Sequence, residues 1–168
     1  MVGESGLGMC AHSSLAGGVL VIGIGNEYAR DDAAGLLVAR KLKAQAGGAV
    51  AVLEHSGEGA SLLEAWKGVS SVVVIDAVRS GAAPGQGLRF DATAAALPAE
   101  SFRGSTHAFG LCEAVELARC LNQLPRTLIV YGIEGRTFAS GVGVSPEVNE
   151  AIRSVADAVL EEVAGLGV

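Results

Sequence analysis

Cysteine is scarce in this sequence: there are three, Cys10, Cys112 and Cys120, with no Cys-x-x-Cys pair among them. An odd count at these spacings excludes a disulfide framework and a cysteine-pair metal knuckle. Long hydrophobic runs are also missing, since none reaches the roughly 20 residues needed to span a bilayer. The first eighteen residues carry Glu4 and His12 among small side chains and have no apolar core behind a basic start, which excludes a secretory signal. Positive charge is in the minority. Twelve Lys and Arg against 18 Asp and Glu give a formal net charge of −6, so the average field repels phosphate backbones and anionic lipid. These absences predict a cytoplasmic chain without nucleic-acid or membrane partners. They leave residues 1–17 as a flexible leader ahead of one domain over 18–168.

Half of the 168 residues are hydrophobic, and the 24 glycines are spread along the chain. Val19 to Ile22 and Val72 to Ile75 are short, wholly apolar runs rich in β-branched residues. Such runs fit strands covered on both faces, as in a mainly parallel sheet. Ala49 to Leu53, Gly87 to Asp91 and Thr127 to Ile133 read as further strands. Between them, helical periodicity places Gly35, Val38, Ala39, Leu42 and Ala46 on one stripe, and a short helix is expected from Ala60 to Lys67. A third stripe begins at His107 and runs through Leu111, Ala114, Val115, Ala118 and Leu121, and a closing helix follows the Ser145-Pro146 start pair. The alternation predicts a three-layer, doubly wound α/β fold of about five strands with helices on both faces. Ligands bind such folds outside the carboxyl ends of the strands.

Three polar groups fall where that rule directs attention. Asp32 ends the loop Gly23-Ile-Gly-Asn-Glu-Tyr-Ala-Arg-Asp-Asp, where it is either a favourable first-turn acid or a ligand, with Asp31 available as a helix cap. Asp76 ends the apolar run of the central strand, where it is either a turn cap or a carboxylate whose desolvation calls for a partner. His107 opens a helix capped by Ser105 or Thr106, as a structural imidazole or a ligand. Together, two carboxylates and one imidazole form an incomplete ligand set that leaves positions open for substrate or water. It is compatible with zinc, nickel or manganese. Neither His-Glu-x-x-His nor Gly-x-Ser-x-Gly occurs, and Tyr28 stands where a dinucleotide fingerprint needs its third glycine. Cys112 reads as a packed thiol.

The chain resembles the hydrogenase maturation proteases from about Val19 to Val163. Three motifs carry the likeness: Gly23-Ile-Gly25-Asn26 through Asp31-Asp32-Ala-Ala-Gly35, Val74-Ile75-Asp76-Ala77, and Ser105-Thr106-His107-Ala108-Phe109-Gly110-Leu111. The resemblance implies a metal-dependent endopeptidase, classed as aspartic-type in some schemes, that removes the carboxy-terminal extension of a nickel-iron hydrogenase large-subunit precursor after nickel insertion. It implies a metal and catalytic site of Asp32, Asp76 and His107, and substrate contacts at Gly25, Asn26, Ser56, Gly57 and Glu58. It further implies nickel presented by the precursor, no tightly bound organic cofactor, and a monomeric enzyme. The rival readings are a peptidyl-tRNA-hydrolase-like hydrolase, echoed by Tyr28 and Arg30, and a non-enzymatic nucleotide-binding module.

Overall fold

Apolar, β-branched segments pair side by side to make the centre of the molecule. The computed structural model describes residues 18–102 and 107–167. The leader expected over 1–17 lies outside the described residues, as do Ser105 and Thr106. Among the described residues, β1 (Val19–Ile24), β2 (Ala51–His55), β3 (Ser71–Val78), β4 (Gly87–Asp91) and β5 (Thr127–Glu134) form one sheet in the order β2-β1-β3-β5-β4. The first four strands in that order run parallel, and β4 is an antiparallel edge on β5. Helices α1 (Ala34–Ala46) and α4 (Pro146–Leu166) cover one face, and α2 (Gly59–Trp66) with α3 (Leu111–Cys120) the other. Side chains alternate accordingly. Val19, Val21, Val73, Ile75, Ile129 and Tyr131 pack with α1 and α4, whereas Leu20, Ile22, Val72, Val74, Leu128 and Val130 pack with α2 and α3. Burial on both faces is why these strands read as continuous apolar runs.

The order turns back on itself between β1 and β3. The chain leaves β1 towards β2 and returns to the opposite side of β1 with β3, which opens a crevice at the carboxyl ends of those two strands. Close approach of α1 to this edge depends on glycine. A Cβ on Gly23 would lie 2.2 Å from the Gly35 carbonyl oxygen, and one on Gly35 would lie 2.2 Å from that of Ile24. The residues just ahead of α1 are thereby drawn over the crevice.

Several boundaries differ from those read in the sequence. β2 is displaced by two residues, to Ala51–His55. β3 continues past Asp76 to Val78, so Asp76 is a strand residue paired with Gly132 and does not end the strand. α3 begins at Leu111, with Gly110 as its N-cap and the Glu113 carboxylate accepting the Gly110 N–H at 3.0 Å. His107 therefore precedes the helix and does not belong to its stripe. Ser145 occupies the N-cap of α4, but its hydroxyl makes no cap bond and donates instead to Asp31. Asp31 in turn does not cap α1, whose N-cap is Ala33.

The edge of the sheet is clamped to α4 by charge. Arg89 Nε and Nη2 donate to the two oxygens of Glu162 at 2.7 and 2.9 Å, and the Tyr131 hydroxyl donates to the same carboxylate at 2.8 Å. The Arg89 hydrogen bonds hold the Glu162 carboxyl below its ordinary value of 4.5. A depressed acid contributes stability above that value and loses it as pH falls below it. Glu162→Gln should cost about 1 kcal/mol at neutral pH. Thermal melts at successively lower pH should show the gap between variant and parent closing; a gap unchanged at pH 3 would contradict the assignment.

Candidate active site

Asp32 reaches the crevice from a short 3-10 helix over Arg30–Ala33, placed by the close α1–β1 contact. Asp76 reaches it from β3, on the α2/α3 face by the alternation of the strand, and is 7% exposed. The loop after β2 supplies the docking for His107. Gly59 N–H donates to the Phe109 carbonyl at 2.9 Å, and a Cβ on Gly59 would lie 2.1 Å from the Phe109 ring, so only glycine lets the segment ahead of α3 rest on α2.

A cavity of about 470 Å³ is lined by Asp32, Asp76 and His107 together with Gly25, Asn26, Tyr28, Ser56 and Phe138. A smaller one of about 310 Å³ shares Ile24, Asp76 and His107 with it and adds Gly57, Leu111 and Cys112. The expected trio thus lines one cavity, as do Gly25, Asn26 and Ser56, and Gly57 lines the adjoining one. Glu58 lines neither. Its carboxylate caps α2, accepting Ala60 N–H at 2.9 Å, Ser61 N–H at 2.8 Å and the Ser61 hydroxyl at 2.7 Å, which pull its carboxyl down to about 2. Among the described residues, no three His, Cys, Asp or Glu side chains are gathered closely enough to hold a metal ion by themselves. Asp32, Asp76 and His107 share a cavity without converging on one point.

The two carboxylates are costly to ionise. Burial, then the nearby Asp32 charge, push the Asp76 carboxyl well above its ordinary value, opposed by the Ala77 N–H that donates to its Oδ1 at 2.8 Å. Burial also raises Asp32, opposed by the Asn26 backbone N–H. Two neighbouring acids that are both costly to ionise favour a proton or an incoming cation.

Other nucleophiles and bases are held back. Burial pushes the Cys112 thiol up to about 12, which leaves it un-ionised and without nucleophilic character at neutral pH. His55 accepts the Gly57 N–H at Nδ1 (2.9 Å), and burial, with a smaller contribution from His107, lowers its basicity. Its neutral form therefore carries the ring proton on Nε2.

Two buried carboxylates, Asp31 and Glu134, hold the loops around this crevice, a role not read from the sequence. Asp31 accepts the N–H groups of Arg136, Thr137 and Ser145 at 2.7, 3.0 and 2.6 Å. Glu134 accepts the Ser80 hydroxyl at 2.7 Å and the Gly81 N–H at 3.1 Å. Phe138, with the Arg79 guanidinium 4.5 Å above its ring, was also missed, although its loop follows the carboxyl end of β5, where the binding-site rule points.

The model of the HycI hydrogenase maturation protease family matches residues 36–162. The chain belongs to the hydrogenase maturation protease family. The matched span holds Asp76 and His107 and begins after Asp32. Hydrogenase expression/formation protein HupD of Thiocapsa roseopersicina is 27% identical over 153 residues, covering 89% of this chain and 69% of that protein. The [NiFe] hydrogenase maturation protease HybD from Thermococcus kodakarensis superimposes with a TM-score of 0.66 at 25% identity, covering 87% of this chain and 99% of that one. An endopeptidase from Escherichia coli gives 0.77 at 24%, covering 90% and 94%, and shares the fold. This maturation protease is therefore an endopeptidase with the expected α/β architecture, and neither the peptidyl-tRNA-hydrolase reading nor the nucleotide-binding one is supported. Among its described residues, no helix is long and apolar enough to cross a membrane.

Proposed function

We propose that this protease removes the carboxy-terminal extension of a nickel-iron hydrogenase large-subunit precursor once nickel has been inserted, and that Asp32, Asp76 and His107 read the metal. The observation that carries the reading is the pair Asp32 and Asp76, the first half-buried and the second buried, both costly to ionise and sharing one cavity with His107. A cationic centre entering that cavity relieves the cost of ionising both acids. Because the three side chains do not converge by themselves, the remaining ligands come from the precursor, and a precursor without nickel gains little by docking.

Within this reading Asp76, deep in β3, anchors the metal-bearing end of the precursor, and His107 supplies the imidazole. Asp32, the shallower acid beside Asn26 and Tyr28, accepts a proton from the water that attacks the scissile carbonyl carbon. As the carbon–nitrogen bond breaks, that proton passes to the leaving nitrogen, giving a new carboxylate and a free amine without an acyl-enzyme. A monomeric enzyme acting in the cytoplasm completes this reading.

His107→Ala should lower cleavage of the nickel-loaded precursor by more than about 100-fold, the scale of losing one group that acts at the reacting atoms. Its melting temperature and circular dichroism should stay near those of the parent. Normal processing by a folded His107→Ala protein would sink the assignment.

A further inference from the structure

Large hydrophobic side chains exposed among the described residues are Tyr28, Leu117, Leu121 and Val142. Leu117 lies on α3 and Leu121 just beyond it, away from the crevice. Tyr28 and Val142, 66% and 69% exposed, stand on two segments fastened to each other, and Tyr28 lines the larger cavity. Gly141 N–H donates to the Tyr28 carbonyl at 2.8 Å and Arg30 N–H to the Gly141 carbonyl at 3.0 Å, while Ala29 and Gly141 form a parallel bridge. Arg30 Nη1 donates to the Val142 carbonyl at 2.7 Å.

This join is held against local preference. Arg30 adopts a positive φ of 49°, and Gly141 holds a φ of 143° that other residues rarely adopt. A non-glycine residue keeps such a conformation only where its surroundings over-determine it, and such places cluster at functional clefts. The fold gains nothing from holding a tyrosine ring and a valine in water. Charged neighbours are already engaged: Glu27 is paired with Arg40 at 3.3 Å, and the Arg30 guanidinium is bonded to Val142. The Arg30 guanidinium keeps its charge beside the Val142 backbone, and Tyr28 itself lines the cavity that holds Asp32, Asp76 and His107.

We propose that Tyr28 and Val142 form the seat for a large apolar side chain of the precursor's carboxy-terminal segment, next to the bond that is cut. This inference rests on the proposed maturation function and adds the specificity determinant of the same site. Continuity with the cavity fixes the occupant as the substrate segment, bound in extended form. The exposed tyrosine ring and valine side chain give the seat its apolar chemistry. Because the seat lies beside the acids and not among them, it contributes to binding the precursor and leaves the chemical step to Asp32, Asp76 and His107.

The test is steady-state cleavage of the cognate nickel-loaded precursor by the Tyr28→Ser/Val142→Ser protein. Loss of the seat should raise KM about 10- to 100-fold with kcat within about twofold of the parent, the scale of one buried apolar side chain. Tyr28→Phe/Val142→Ile should restore KM. An unchanged KM, or a fall in kcat at constant KM, overturns the proposal. Equilibrium binding of the same precursor to the parent, with and without the two serine substitutions and measured before turnover, separates this inference from the function on which it rests. If the parent fails to cleave but the serine pair weakens binding, the seat stands and the maturation reading fails. If binding is detected and the pair leaves it unchanged, the seat is wrong. If the precursor is not bound at all, both fall.

Discussion

Asp76→Asn should abolish cleavage and leave the protein at least as stable as the parent. Asp76 is buried on β3, and both its burial and the charge of Asp32 act against its ionised form. An acid whose folded value lies above its ordinary 3.8 costs the folded state stability as pH rises from 3.8 towards that raised value. Asparagine keeps an oxygen to accept the Ala77 N–H, at 2.8 Å in the parent, while removing the charge. The melting temperature should therefore hold or rise. Loss of the anchoring carboxylate should lower the cleavage rate by about 1,000-fold or more. This is the exchange of stability for function expected where like charges are buried together. Calorimetry and a cleavage assay on one preparation check both halves, and a marked drop in melting temperature would show that the carboxylate serves the fold.

Asp31→Ala, one residue from the proposed site, should behave in the opposite way. Its side chain is fully buried, and its carboxylate gathers the N–H groups of Arg136, Thr137 and Ser145 and the Ser145 hydroxyl. Burial pushes this carboxyl up, but the hydrogen bonds from Ser145, Thr137 and Arg136 outweigh it and hold it below the ordinary value. Alanine strands three part-buried N–H donors, each costing on the order of 1 kcal/mol or somewhat more, for a total of about 3–5 kcal/mol. In a chain of this length that lowers the melting temperature by on the order of 10 °C or more. Activity should fall with it, because the loop that Asp31 ties down carries Phe138 and Val142 to the cavity mouth. A shift under about 2 °C would mean that water replaces the carboxylate without loss.

The contrast between these neighbouring acids shows what the sequence could convey. Val72 to Ile75 announced the central strand because both faces of the sheet are covered, and covered strands need no polar alternation. Asp32, Asp76 and His107 could be singled out because each follows or interrupts a strong local pattern near the carboxyl end of a strand. Asp31 looked like the better helix cap of its pair. Its true partners, Arg136, Thr137 and Ser145, lie far along the chain, and no local spacing reveals them. The same reason hid the role of Ser145, which matches an N-cap in sequence but donates to Asp31 in the fold. His107 was placed on the helix because Leu111 follows it by one turn, whereas Gly110 and Glu113 start α3 later and leave His107 in the preceding segment. β3 ran past Asp76 because Ala77 and Val78 still pair with Ile133 and Glu134 of a strand equally long, which is knowledge of the neighbour and not of the run itself.

The central claim is that this protease cuts only a precursor that already carries nickel. Purified protein should be mixed with nickel-loaded and nickel-free forms of the cognate hydrogenase large-subunit precursor, and the products weighed by mass spectrometry. The account predicts loss of one carboxy-terminal peptide from the loaded form alone. Equal cleavage of both forms, or none of an authenticated loaded precursor, would contradict it.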